Sequence, residues 1–171
     1  MSGLFTRARL LALGFALVLC AADRWLKDFV VNTLGLDRVG EQYRLLPFFD
    51  LTRVNNYGVS LGMFQATSME MRWMLVGVTA LIALGVFIWI MREVNKWDIA
   101  ALSMILGGAL GNIYDRYTYG YVVDFADFHI GSFRPFMIFN LADAAITIGV
   151  VILLARALFI REKPATEQDE T

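Results

Sequence analysis

Nineteen consecutive residues without a charge, WMLVGVTALIALGVFIWIM at 73–91, lie between Arg72 and Arg92. As an α-helix they reach about 28 Å at 1.5 Å per residue, enough to cross the hydrocarbon core of a bilayer. That run sets the class of fold into which everything else must fit. Three more apolar runs accompany it, at about 10–31, 98–115 and 136–156. Hydrophobic residues make up 58% of the chain and charged ones 18%, against about 45–50% and 25% in soluble domains. The excess is gathered in blocks, as in an integral membrane protein. A net charge of −1 gives no reason to expect a nucleic-acid partner. One cysteine, Cys20, excludes an intrachain disulfide framework, and one histidine, His129, leaves little for a zinc centre. Neither a metal nor a cofactor is expected.

The expected fold is a membrane all-α bundle of four transmembrane helices with a small extramembrane β-sheet module at about 32–71. LLPFFDLTRV (45–54) is strand-like, and Asn55-Asn56-Tyr57-Gly58 reads as a turn. SLGMF and the following TSMEMRW suggest a short interfacial helix. The link REVNKW is so short that the third helix must return antiparallel to the second. Ser103, Gly107 and Gly111 recur every fourth residue in that helix, with Ala100 just before, a small-residue stripe that lets backbones approach closely. Residues 1–160 form one domain, and 161–171 are a polar, disordered tail on the cytoplasmic side. The basic start followed by LLALGFALVLCAA also has the layout of a cleaved signal, but a lipobox needs a small residue before Cys20 and Leu19 stands there. Lys and Arg are about twice as dense in 1–9, 92–97 and 156–171 as in 24–72 and 116–135. By the positive-inside rule both termini are cytoplasmic and the 32–71 module lies outside.

Asp143 interrupts the last apolar run, where a carboxylate costs roughly 2.5–3.5 kcal/mol on insertion scales. A helix starting near Phe136 would place it about two turns in, some 10 Å from the end. Asn140 precedes it on the same face, and Asn112 shares a face with Asp115 and Arg116. Asp23 and Lys27, four apart, read either as an interfacial salt bridge beside an anchoring Trp25 or as a brace for a polar site. Asn56 and Asp124, in VVDF, can reach the same level from connecting segments. If Asp124 and Asp143 meet about 4 Å apart, their repulsion at an effective dielectric of 20 is about 4 kcal/mol, or roughly three pKa units. One proton is then shared, as in an aspartic-protease dyad. The charged member takes a proton from an attacking water, and the protonated member serves the carbonyl and the leaving nitrogen. His129 has no obvious serine partner, and Cys20 lies too deep to ionise easily.

GGALGNIYDR, VVDFADF and FNLADAAI, in this order, resemble the blocks of the bacterial lipoprotein signal peptidase (signal peptidase II) family, as do Asp23-Arg24-Trp25-Leu26-Lys27 and Asn56-Tyr57-Gly58. The resemblance covers nearly the whole chain except the tail. It implies a monomeric four-helix aspartyl protease of the bacterial inner membrane with a periplasmic active site and β-cradle. Its substrates would be prolipoproteins carrying a diacylglyceryl-modified cysteine, and its inhibitor the cyclic peptide globomycin. The resemblance implies a dyad of Asp124 and Asp143, with Asn112, Arg116 and Asn140 lining the site and Asn56, Asp23 and Lys27 supporting it. Two blocks depart from the family pattern: Arg24 replaces a usual Gln, and Val59-Ser60-Leu61 replaces a usual Ala-Ala-Phe.

A proton pathway or small transporter would also place Asp and Asn residues in spans, but through the full depth. The inner halves LIALGVFIWI and GVVILLA are apolar instead. A purely structural subunit leaves Asp143 unexplained, and a presenilin-type protease would need a Gly-x-Gly-Asp motif that the sequence lacks.

Overall fold

The structure, a computed structural model, describes residues 6–58 and 69–159. It is mostly helical. Four long helices, α1 (Arg7–Asp28), α2 (Met69–Arg92), α3 (Lys96–Tyr119) and α4 (Leu141–Phe159), accompany strands β1 (Gln42–Leu46), β2 (Phe49–Asn56) and β3 (Val122–Phe128). The strands form one antiparallel sheet in the order β1-β2-β3. α1 runs on into a π-helical turn at Phe29–Thr33. α3 is central, packing on α1, α2 and α4.

Local chemistry sets the helix ends. Thr6 caps α1 by accepting the Arg9 N–H at 3.4 Å, and Asn95 caps α3 by accepting the Trp97 N–H at 3.0 Å. α3 stops at Gly120, whose φ of 86° lies in the left-handed region that glycine occupies without a Cβ penalty. The chain turns there and enters β3 two residues later. At the other end of the bundle Arg156 on α4 donates to Asp98 on α3 at 2.5 Å.

Glycines make the close approach possible. A Cβ on Gly107 would stand 2.7 Å from the Ala16 carbonyl oxygen, one on Gly111 2.7 Å from the Asp23 carboxylate, and one on Gly149 2.7 Å from the Ala101 carbonyl oxygen. Gly107→Leu is therefore expected to push α1 off α3 at a cost of about 1–3 kcal/mol or more. Melting in detergent should show a clear drop; an unchanged transition would mean that the two helices can separate freely at this level.

Several expectations need correction. α4 begins at Leu141, not near Phe136, because the chain before it is tied down elsewhere: Phe139 bridges to Ala126 of β3, and Phe133 bridges to Ile130 across a turn. Asp143 consequently sits in the first turn of α4, not two turns in. The sheet does not belong to 32–71 alone. Its third strand comes from VVDFADF, read above as part of a connection. Asn55 and Asn56 end β2 instead of opening a turn. α2 starts by Met69, so Met69–Trp73 belong to it, while Ser60–Ser68 and the 161–171 tail lie outside the described residues.

Among the described residues two helices, α2 and α4, are long and apolar enough to cross a membrane. α1 and α3 are as long, at 22 and 24 residues, but carry buried charges: Asp23 and Lys27 on α1 and Asp115 on α3.

Candidate active site

β3 is the element that brings the two carboxylates together. Along one edge it pairs with β2, setting Asp124 opposite Val54 and Val122 opposite Asn56. Along the other it holds the segment ahead of α4: the Ala126 N–H donates to the Phe139 carbonyl at 2.7 Å and the Phe139 N–H returns a bond to Ala126 at 3.1 Å. The next residue, Asn140, is fully buried. Its Oδ1 accepts the Asp143 N–H at 2.9 Å, the bond of an N-cap to the third residue of its helix. Because a backbone N–H can only donate, this bond fixes the amide orientation and leaves Nδ2 to donate elsewhere. It donates to Asp124 Oδ1 at 2.6 Å.

A second amide repeats the device. Asn112 Oδ1 accepts from Lys27 Nζ at 3.4 Å and from Asn140 Nδ2 at 3.3 Å, which turns its own Nδ2 to Asp143 Oδ1 at 2.8 Å. Asn56 completes the set by donating to Asp124 Oδ2 at 3.1 Å. Asn140 thus joins the two positions, donating to the Asp124 carboxylate while accepting the Asp143 N–H, and Asn112 links Asn140 to the Asp143 carboxylate. Asp124 is 2% exposed while Asp143 is half-buried. Burial, and next the negative charge of Asp143, push the Asp124 carboxyl up to about 7, against the pull of the Asn56 and Asn140 hydrogen bonds.

Behind the carboxylates lies an ionic brace. Lys27, fully buried, stands 2.6 Å from Asp23 and 2.9 Å from Asp115. The interfacial reading of Asp23 and Lys27 is therefore replaced by the bracing one, and Trp25 alone faces outward. Each bracing carboxylate also accepts one backbone N–H: Asp23 from Ala142 at 2.9 Å and Asp115 from Val123 at 3.1 Å. Those two residues directly precede Asp143 and Asp124. One ammonium thus ties together the two backbone positions from which the paired carboxylates project.

Of the expected site residues, Asp23, Lys27, Asn56, Asn112, Asp124, Asn140 and Asp143 fall into this one network. Arg116 lies within electrostatic reach of Asp143 and Asp124 but donates instead to the Gly58 carbonyl at 3.1 Å. Asp115 was not among the residues expected at the site, although it follows Asn112 by three positions and so shares its face. Among the described residues no cluster of three or more His, Cys, Asp and Glu side chains could hold a metal ion.

Residues 15–159 match the family model described as Signal peptidase (SPase) II. The lipoprotein signal peptidase of Sphingopyxis alaskensis is 54% identical over 87% of this chain and 86% of its own length. That of Rhizorhabdus wittichii is 50% identical over 90% and 89%. A bacterial membrane enzyme solved by the in meso method at 2.3 Å superposes with a TM-score of 0.74 at 27% identity, over 90% of this chain and 93% of that one. The family-model match runs over the sheet, most of the bundle and every residue of the network just described, and on these likenesses the chain is a membrane protein that belongs to the signal peptidase II family.

Proposed function

We propose that this chain is an aspartic endopeptidase that removes the signal peptide from diacylglyceryl-modified prolipoproteins, cutting on the N-terminal side of the lipidated cysteine. Asp124 and Asp143 are its catalytic pair. The observation that supports this reading is the chain of hydrogen bonds linking the two carboxylates, in which Asn140 donates to Asp124, Asn112 donates to Asp143, and Asn140 donates to Asn112. Held side by side and partly out of water, they keep one proton between them near neutrality. The ionised carboxylate removes a proton from water as the oxygen attacks the scissile carbonyl. The protonated one donates a hydrogen bond to that carbonyl and then delivers its proton to the leaving nitrogen. Asn56, Asn112 and Asn140 orient the pair, Asp23 and Lys27 brace it, and Arg116 lines the site.

The peptide to be cut is anchored in a bilayer, and the geometry suits that. All four helices act as spans, with α1 and α3 tolerating their charges because those charges are buried and paired with one another. The catalytic pair sits at one end of the bundle, at the first turn of α4, while Asp98 and Arg156 mark the other end. Between Asp98 and Asp115 α3 carries no charged residue, which argues against a proton pathway along it. The chain is a monomeric single domain (1–160 with a cytoplasmic tail) of the bacterial inner membrane, with its catalytic end periplasmic and without metal or cofactor.

The test is direct: purified protein is incubated with a diacylated prolipoprotein, with and without globomycin. Cleavage that needs the lipid and stops with globomycin is expected; equal cleavage of the unlipidated precursor, or none of either, defeats the reading. The rate should also depend on pH. A carboxyl raised to about 7 keeps its proton up to that pH and loses it above. kcat/KM should therefore fall about tenfold per pH unit once pH exceeds roughly 7–7.5. A flat profile from pH 6 to 9 would contradict a proton-sharing pair.

A further inference from the structure

On the face of the sheet turned away from the catalytic pair, β2 and the ends of α1 and α3 enclose a cavity of about 160 Å³. Roughly 300–1,000 Å³ is usual for a site that takes a peptide or drug-sized ligand, so this one suits a smaller group. Its walls include Arg24, Arg53, Tyr119 and Tyr121, with Asp28 and Asn32 at the exposed rim.

Arg53 is only 5% exposed, yet among the described residues no carboxylate pairs with it. Its Nε and Nη2 donate to Asn55 Oδ1 at 3.1 and 3.0 Å, and its Nη1 is buried without a hydrogen bond among those residues. A buried cation left without a counter-charge is costly. The other charges nearby do not supply one. Lys27, on the cavity's inner wall, is committed to Asp23 and Asp115. Arg24 stands 3.8 Å from Asp115 and balances the excess negative charge of that group. Asp28 lies at the exposed rim, hydrogen-bonded to Asn32 at 2.7 Å.

The hydroxyls complete the picture. Tyr119 accepts a hydrogen bond from Arg24 Nη2, and Tyr121 accepts one from Arg53 Nη2 at 3.4 Å. A phenol that accepts from a guanidinium still has its own O–H to donate. Two guanidinium groups and two phenolic O–H groups thus line one small cavity in which buried Arg53 is paired with no carboxylate among the described residues, the one acid of the lining, Asp28, standing at the exposed rim. The exposed rings of Trp25, Tyr114 and Tyr119 surround the same end of the bundle, as aromatic residues do at the head-group level of a bilayer.

We propose that this cavity binds one phosphate monoanion, supplied by the phosphodiester headgroup of a bilayer phospholipid. The headgroup would neutralise Arg53 and accept from Arg24, Tyr119 and Tyr121, while its acyl chains run down the lipid-facing side of α1. The site is separate from the catalytic pair and does not depend on the peptidase reading.

The test uses the full chain in detergent, with short-chain phosphatidylglycerol, the matching diacylglycerol and inorganic phosphate as probes. Native mass spectrometry counts retained lipid, and thermal melting reports binding. Wild type should retain one phosphatidylglycerol and show a saturable rise in Tm that diacylglycerol does not give. Arg53→Gln and Arg24→Gln should each weaken that binding about tenfold, the worth of one charge-assisted hydrogen bond. If Arg53→Gln fails to fold, Tyr121→Phe replaces it, with several-fold weakening expected. Identical lipid binding by wild type and variants overturns the site. A saturable rise with inorganic phosphate equal to that with phosphatidylglycerol overturns the headgroup as the source.

Discussion

Replacing Asp124 by Asn should reduce cleavage of a diacylated precursor by about 10³-fold or more, since general acid–base help from a positioned side chain is worth roughly 10²–10⁴ and the partner loses its proton-sharing role as well. Asp143→Asn should do the same. The two variants differ from a folding defect in a way that can be measured. A carboxyl raised in the folded protein favours folding fully below its unfolded value of 3.8, and that contribution is lost as pH rises through about 7. Wild type should therefore lose stability between pH 5 and pH 8. Asp124→Asn removes the titrating group, so its melting temperature should be nearly flat over that range and no lower than wild type at pH 8. The gain is partial, because the Asn side chain meets two donors, Asn56 and Asn140, with only one oxygen. Near-normal cleavage by either variant would remove the pair from the mechanism. A collapse of the melting transition in Asp124→Asn would show instead that the carboxylate holds the fold.

Asp143 stood out in the sequence because it breaks a local rule, a carboxylate inside an apolar run. Asp124 carried no such signal; it lay in a connecting segment and was matched to the dyad by the resemblance of VVDF to a family block. The device that joins them was not readable. VVDFADF has the β-branched and aromatic content of a strand, but a strand needs a partner, and β2 lies about seventy residues earlier in the chain. The same pairing pulled Phe139 into an extended bridge and delayed the start of α4; a helix-favouring apolar pattern from Phe136 onward lost to that contact. Asn140 was read as a site residue inside the helix, and in the structure it is the helix cap and a hydrogen-bond donor to Asp124 at once. Asp23 and Lys27 were placed correctly on one helical face, but spacing cannot tell a wet pair from a buried one. That difference depended on Gly111, whose missing side chain lets the Asp23 carboxylate lie against α3.

Lys27→Met should be the most destabilising single change at the site. The substitution keeps most of the side-chain volume and removes the charge, leaving two buried carboxylates, Asp23 and Asp115, facing each other with no cation closer than Arg24 at 3.8 Å from one of them. Breaking a buried pair by removing one partner typically costs about 3–5 kcal/mol, because the other charge stays desolvated. The cost here sits at the upper end, since two carboxylates are stranded. Chemical denaturation in detergent should show it, together with a loss of activity as the Val123 and Ala142 N–H anchors shift. The triple variant Asp23→Asn, Lys27→Met, Asp115→Asn separates charge from anchoring. Its asparagines still offer an Oδ1 to each backbone N–H while no buried charge remains, and replacing a buried ion pair with neutral groups is often neutral or better. Stability should return to within about 1–2 kcal/mol of wild type, and cleavage should return with it if the brace acts only by position. A stable Lys27→Met would mean that water or protons reach the brace freely. A triple variant that folds but does not cleave would give the ammonium an electrostatic share in the chemistry, acting through Asn112 on Asp143.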